Sequence, residues 1–196
     1  YIPESSQPLV QSQGIVHNTT RAILKLPQGI QIALDEPQKS DTALLQQYGI
    51  THQDTLISYE SVKTKTEWHT LEVPRGGEYL LTLVDGSRVW LNAESKLKFP
   101  TCFEGNERRV YLEEGEAYFI VTENEGQPFY VEMENMLLKV VGTEFNVMAY
   151  PEKPIIATTL VKGTVQLMVP QTTLLITPND QALFERETGL LTCRQV

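Results

Sequence analysis

From residue 21 onward, apolar side chains recur at every second position. Ala22, Leu24 and Leu26 share one parity, and after "PQG" Ile30, Ile32 and Leu34 take it up again. Period two on both sides of a glycine-bearing turn predicts a β-hairpin. The stretch "LTLVDGSRVWLNAES", residues 81–95, repeats the pattern: Leu81 and Leu83 lead into Asp85-Gly86, and Val89 and Leu91 return. Residues 21–35 and 79–92 therefore read as two copies of one unit, offset by 58 positions (79 − 21). Stacked hairpins cover each other's apolar faces, so the repeat reads as scaffold, with the turns at Gly29 and Gly86 expected to superimpose.

The remaining chain continues in the same manner. Val110 and Leu112 run to Gly115, which reads as a turn, after which Ala117, Phe119 and Val121 share a face. "PFYVEM" and "MLLKVVGTEFNVMAY" follow, the latter broken at Gly142; "ATTLVKGTVQLMV" turns at Lys162-Gly163 and "LLITPNDQALFE" at Pro178-Asn179-Asp180. The expected fold is all-β: a β-sandwich or β-roll of stacked, mostly antiparallel hairpins, with at most one short helix near 41–48. That helix, "SDTALLQQYG", would be capped by Ser40 or Asp41, closed by Gly49, and dependent on packing through Leu44 and Leu45. Leu83, Val89, Leu91, Leu112, Phe119, Val140, Phe145 and Val147 are expected to share a core. Residues 1–18, rich in Ser, Gln and Pro, read as a flexible tether. Residues 19–66 read as an N-terminal β-rich segment packing on a main β domain at 67–196, with the boundary in the polar stretch before Pro74.

Charge narrows the partners. Net charge is −9, so the average field repels polyanions, and neither nucleic acid nor an anionic membrane surface is an expected partner. Cys102 and Cys193 lack metal-type spacing; they either pair in an oxidising compartment or stay as two thiols. No apolar run is long enough to span a bilayer. The chain starts at Tyr1 with no signal peptide, which reads as a region of a longer polypeptide.

Candidate chemistry is sparse. Trp90 has the parity opposite Val89 and Leu91, so it is expected on an outer sheet face, as a ligand platform or under a covering loop. Glu113, Glu114 and Glu116 flank Gly115 at what reads as a hairpin turn; paired carboxylates can hydrolyse glycosides, but turn glutamates are usually only solvated, and Glu123 and Glu125 read the same way. His17, His52 and His69 lie in polar or loop-like stretches without spaced partners. "NTT" at Asn18 matches a glycosylation sequon that arises readily by chance. No nucleophile elbow or phosphate loop is present, and "PRGGEY" reads as a flexible approach to a strand. The residues alone indicate a β domain with no catalytic, cofactor or metal site.

The run "EVPRGGEYLLTLVDGSRVWLNAESKLKFPTCFEGNERRVYLEEGEAYFIVT", continued by "PFYVEMENMLLKVVGTEFNVMAY" and "ATTLVKGTVQL", resembles the periplasmic domain of FecR-type anti-sigma regulators. The resemblance is strong over about residues 70–190 and looser over 19–62. It implies a non-enzymatic periplasmic sensor region of a single-pass inner-membrane protein. Such a region relays a signal from an outer-membrane TonB-dependent transporter, through that transporter's N-terminal signalling domain, to an extracytoplasmic-function sigma factor. The cytoplasmic domain that holds the sigma factor, and the small domain that often follows the FecR-like one, are expected outside this sequence. The segment "TPNDQALFERETGLLTCRQV" is then the expected docking edge, with Ala182, Phe184, Leu190 and Leu191 as contacts and Trp90 on a second surface. Two other classes stand beside this reading: a carbohydrate-binding β-sandwich using Trp90 and Trp68, and a glycosidase using the Glu113–Glu116 cluster.

Overall fold

The computed structural model describes residues 22–35, 37–61 and 65–196. The expected tether, His17, Asn18 and the Arg21 start of the first hairpin lie outside the described residues. Among the described residues, period-two segments pair into 17 strands in one hydrogen-bonded network, which resolves into two ladders, A and B, that share one strand. The chain weaves between them. β1 (Ile23–Lys25) and β2 (Gln31–Ala33) form a hairpin in A. The helix α1 (Lys39–Gln47) precedes the hairpin of β3 (Ile50–Gln53) and β4 (Leu56–Tyr59) in B. β5 (Trp68–Val73) returns to A beside β1. β6 (Tyr79–Thr82) and β7 (Arg88–Leu91) form a hairpin in B, and β8 (Ser95–Pro100) joins β5 in A.

The shared strand is β9 (Arg108–Ile120), which pairs with β8 along its first half and with β7 along its second. Hairpins then alternate. β10 (Phe129–Met133) and β11 (Met136–Val140) lie in A, and β12 (Glu144–Ala149) and β13 (Ile155–Lys162) in B. β14 (Val165–Val169) and β15 (Thr172–Ile176) lie in A, and β16 (Asp180–Glu185) and β17 (Leu191–Gln195) in B. Ladder A runs β2-β1-β5-β8-β9-β10-β11-β14-β15 and ladder B runs β3-β4-β6-β7-β9-β12-β13-β16-β17. Every pairing is antiparallel except β9 with β10 and β4 with β6. The architecture is the expected all-β assembly of alternating hairpins with one short helix.

Several local readings need correction. Gly115 is not a turn: it sits inside the 13-residue β9, where the strand leaves A for B. Its φ of +97° is a left-handed conformation, and a Cβ there would lie 2.2–2.5 Å from Ser95 atoms. Glycine thus permits both the bend and the close approach of β8. The two similar hairpins are in register at an offset of 57 (81 − 24), one less than the sequence suggested, and they sit in different ladders. Both have the same three-residue loop, closed by Leu26 N–H to Ile30 O in the first and Leu83 N–H to Ser87 O in the second, each at 2.8 Å. The helix begins two or three residues earlier than expected, with Gln38 as its N-cap, and the Asp41 carboxylate accepts the Gln38 N–H at 2.9 Å.

Inward side chains form one core. Across B, Ile57, Leu81, Val89, Phe119, Phe145 and Leu160 are successive cross-strand neighbours, all fully buried or nearly so. Phe119 and Phe145 stack at 5.0 Å between centroids. All eight residues expected in the core are buried. One charged group is buried with them. Arg108, 1% exposed, donates to Asp85 Oδ2 at 2.7 Å and to the carbonyls of Gln127, Thr122 and Val141 at 2.7, 2.8 and 3.1 Å. Asp85 also accepts from the Ser87 N–H and hydroxyl, and Ser87 Oγ accepts the Thr122 N–H. The Asp-Gly-Ser turn of β6–β7 is thereby tied to the loops after β9 and β11 by a fully satisfied polar node.

Candidate functional site

The expected docking residues separate on folding. Ala182 and Phe184 are 1% and 3% exposed, on the inward face of β16, which is paired on both sides by β13 and β17. Their side chains hold the core and cannot meet a partner. The free edge is one strand further on. Among the described residues β17 pairs only with β16, so its other side presents unpaired backbone groups. Leu190, 57% exposed, stands at the start of that edge, and Leu191 packs partly against the core. Both cysteines are free thiols, Cys193 exposed on β17 and Cys102 half-buried.

Trp90 does lie on the outer face of ladder B, half-buried. It packs edge-on against Tyr118 at 6.1 Å between centroids, with the Arg88 guanidinium 5.3 Å from its ring centre. Beside it, Glu116 accepts from Asn146 Nδ2 at 2.8 Å and from Asn92 Nδ2 at 3.2 Å. Tyr118 donates to Glu144, which pushes its phenol up to about 12. Sequence reasoning missed this amide–carboxylate group, although the shared outward parity of Trp90, Tyr118 and Asn146 was available. Trp68 is on the outer face of ladder A, edge-on to Tyr111 at 5.3 Å with Lys98 Nζ 5.6 Å from its ring centre. The two tryptophans therefore cannot serve one platform.

The glutamates diverge. Glu113 pairs with Lys96 at 3.3 Å, Glu114 lines a cleft with Glu72 and Glu94, and Glu116 faces the Trp90 groove. Each borders a different depression, so the paired-carboxylate geometry of glycoside hydrolysis is not assembled by these three. Glu123 and Glu125 are exposed, as expected. Among the described residues no cluster of three His, Cys, Asp or Glu is arranged to hold a metal.

His69 is the clearest departure from expectation. It is not in a loop: β5 buries it completely, and its Nδ1 is 2.8 Å from the Tyr59 hydroxyl. Its Nε2 has no hydrogen-bond partner, and Tyr48 packs edge-on at 4.9 Å. Desolvation lowers its pKa to about 4, against a weaker upward pull from Glu67, so the ring is neutral at pH 7. His52 is half-exposed, stacked on Tyr79 and bonded to the Asp54 carbonyl.

No described helix is long and apolar enough to cross a membrane. Two crystal structures of Parabacteroides distasonis ATCC 8503 proteins assigned as anti-sigma factors are similar at 34% identity, with TM-scores of 0.63 and 0.62. They cover 65% and 64% of this chain, which spans only 60% and 59% of theirs. No curated protein matches. A family model described as FecR protein matches residues 69–166, from buried His69 on β5 to Gln166 on β14. That interval is 98 residues (166 − 69 + 1) of 196 and contains the shared strand and the Arg108 node; the chain belongs to the FecR family.

Proposed function

We propose that this chain is the sensor region of an anti-sigma regulator. In this reading it lies in the periplasm as part of a single-pass inner-membrane protein. It receives a signal from the N-terminal signalling domain of an outer-membrane TonB-dependent transporter. It passes that signal to an extracytoplasmic-function sigma factor held by a cytoplasmic domain of the same polypeptide. The observation that carries the reading is the FecR match over residues 69–166, supported by a fold shared with anti-sigma factors at 34% identity. A non-catalytic sensor signals only through differential affinity for two partner states. The unpaired side of β17 is suited to this, because strand addition gives affinity through backbone bonds and selectivity through side-chain pockets. With −9 on the chain, the docking partner should present a neutral or basic face.

The test is calorimetric titration of the chain with the signalling domain of the transporter encoded beside it, together with a sigma-dependent reporter in cells. Binding that weakens at least about tenfold in Leu190→Asp or Cys193→Asp, with altered reporter output in cells carrying the same substitutions, is the expected result. Reporter output that is unchanged when this region is deleted from the full regulator would sink the proposal.

A further inference from the structure

Ladder B carries a groove on its outer face that the sensor reading does not use. Leu56, Leu80, Trp90, Tyr118, Asn146 and Thr159 are successive cross-strand neighbours, so one row of outward side chains crosses six strands. A depression of about 760 Å³ lies over Leu56, Leu80 and the Gly76-Gly77 turn, and a smaller one of about 180 Å³ lies over Asn92, Glu116, Tyr118 and Asn146. Glu78 and Trp90 border both, which makes them one groove with the indole at its middle.

The chemistry of the two halves differs. One side mixes the aliphatic Leu56, Leu80 and Pro74 with Asp35, Thr55 and Tyr79; the other offers a hydrogen-bonding array already fixed in place. Glu116 takes one amide proton from each of Asn92 and Asn146 and so locks both side chains. Each amide nitrogen keeps a second proton, Asn146 keeps its carbonyl oxygen, and the carboxylate keeps lone pairs. Donors and acceptors held rigidly beside an aromatic face match a ligand with an apolar C–H face and a rim of hydroxyls. We propose that this groove binds a short, uncharged oligosaccharide, stacked on Trp90 with its hydroxyls on Asn92, Glu116 and Asn146.

The other ligand classes fit less well. Anions would meet Asp35, Glu78 and Glu116, while the Arg88 guanidinium beside Trp90 does not line the groove. A peptide strand cannot add here, because β7 is paired on both sides by β6 and β9. A wholly apolar ligand would leave the amides without partners. Pre-organisation matters, since side chains already held by Glu116 lose little freedom when a ligand arrives. This proposal does not rest on the sensor reading, and its ligand is not the transporter.

The chain is screened on an array of neutral oligosaccharides, and the best binder is titrated by calorimetry. Saturable binding is expected to weaken at least about tenfold in Trp90→Ala and in Asn146→Ala, and to persist in Trp68→Ala. If Trp90→Ala does not fold, Trp90→Leu keeps the apolar bulk, removes the aromatic face, and should give the same loss. No saturable binding by folded protein anywhere on the array overturns the proposal, as does affinity unchanged by loss of the indole. Loss of signalling-domain binding in Trp90→Ala, with no saccharide bound by the parent chain, would make this face a protein interface and also overturn it.

Discussion

Replacing Asp85 with Ala removes the counter-charge of the most deeply buried cation among the described residues. Arg108 is 1% exposed, and the Asp85 side chain 15%. Three carbonyls would still accept from the guanidinium, so its geometry is kept while its charge is left unpaired. Stranding a buried charge costs about 3–5 kcal/mol, and the partial exposure of Asp85 favours the lower end, about 3 kcal/mol. The Ser87 N–H and hydroxyl lose their acceptor as well, adding about 1 kcal/mol. The sum, about 4 kcal/mol, corresponds to a fall in Tm of roughly 8–16 °C for a chain of this size. Urea unfolding followed by circular dichroism measures it, with the m-value confirming an unchanged transition. Arg108→Met strands the carbonyls of Gln127, Thr122 and Val141 in either background, so the double-mutant cycle isolates the ion pair: the double variant should cost at least about 1.5 kcal/mol less than the sum of the two single ones. Because the pair is buried, the loss should be nearly independent of salt. A cost for Asp85→Ala below about 1 kcal/mol, or single-variant costs that simply add in the double variant, would refute the reasoning.

The other expectations concern the bend, the core and acid. Gly115→Ala should be far more damaging than Gly105→Ala: both have positive φ, but only at Gly115 does a Cβ meet Ser95, at 2.2–2.5 Å. Equal Tm losses for the two would remove close approach as the reason for glycine. Phe119→Ala or Phe145→Ala should each cost about 3–5 kcal/mol in the same urea assay, and much smaller losses would contradict the stacked, fully buried pair. His69 should make stability acid-sensitive. Its pKa is about 4 folded against 6.5 ordinarily, so between those values the unfolded chain binds a proton that the folded one does not. Stability is then fully present above about pH 6.5 and falls by about 3 kcal/mol as pH drops toward 4. Tyr59→Phe combined with His69→Leu, which leaves no hydroxyl stranded, should flatten that part of the profile; an unchanged slope would show that other groups carry it.

What the sequence disclosed and what it concealed divide along the reach of the interactions. Side-chain parity is local, so the inward positions of Val89, Phe119 and Phe145 and the outward position of Trp90 were legible. Turn residues were also visible, but not their meaning. Gly142 and Gly163 mark crossings between ladders and not hairpin tips, while the β10–β11 hairpin turns on Glu134-Asn135, with Asn135 at φ +56°. Gly115 misled because a glycine that lets a strand bend looks the same in sequence as one that reverses it. His69 misled because a polar letter suggests surface, and Arg108 drew no reading, because only distant partners show that its burial is compensated. The Tyr59 hydroxyl lies 10 positions from His69, and Asp85 lies 23 from Arg108. The expected edge segment spans both β16 and β17, since nothing local distinguishes β16, paired twice, from β17, paired once.

β9 belongs to both ladders, and that dictates an order of assembly. Residues before Arg108 can form β2-β1-β5-β8 and β3-β4-β6-β7, two half-sheets each ending at an open strand with no strand between them. Only when residues 108–120 arrive do β8 and β7 gain a common neighbour, and only then can β10 and β12 begin the second half. During synthesis the strands before Arg108 therefore wait with the edges of β7 and β8 unpaired, the kind of edge at which such chains aggregate or recruit chaperones. Everything after β9 can be added one hairpin at a time, each finding its edge already built. Refolding should accordingly show a slow early step that is sensitive to changes at Gly115, followed by fast completion toward the C-terminus.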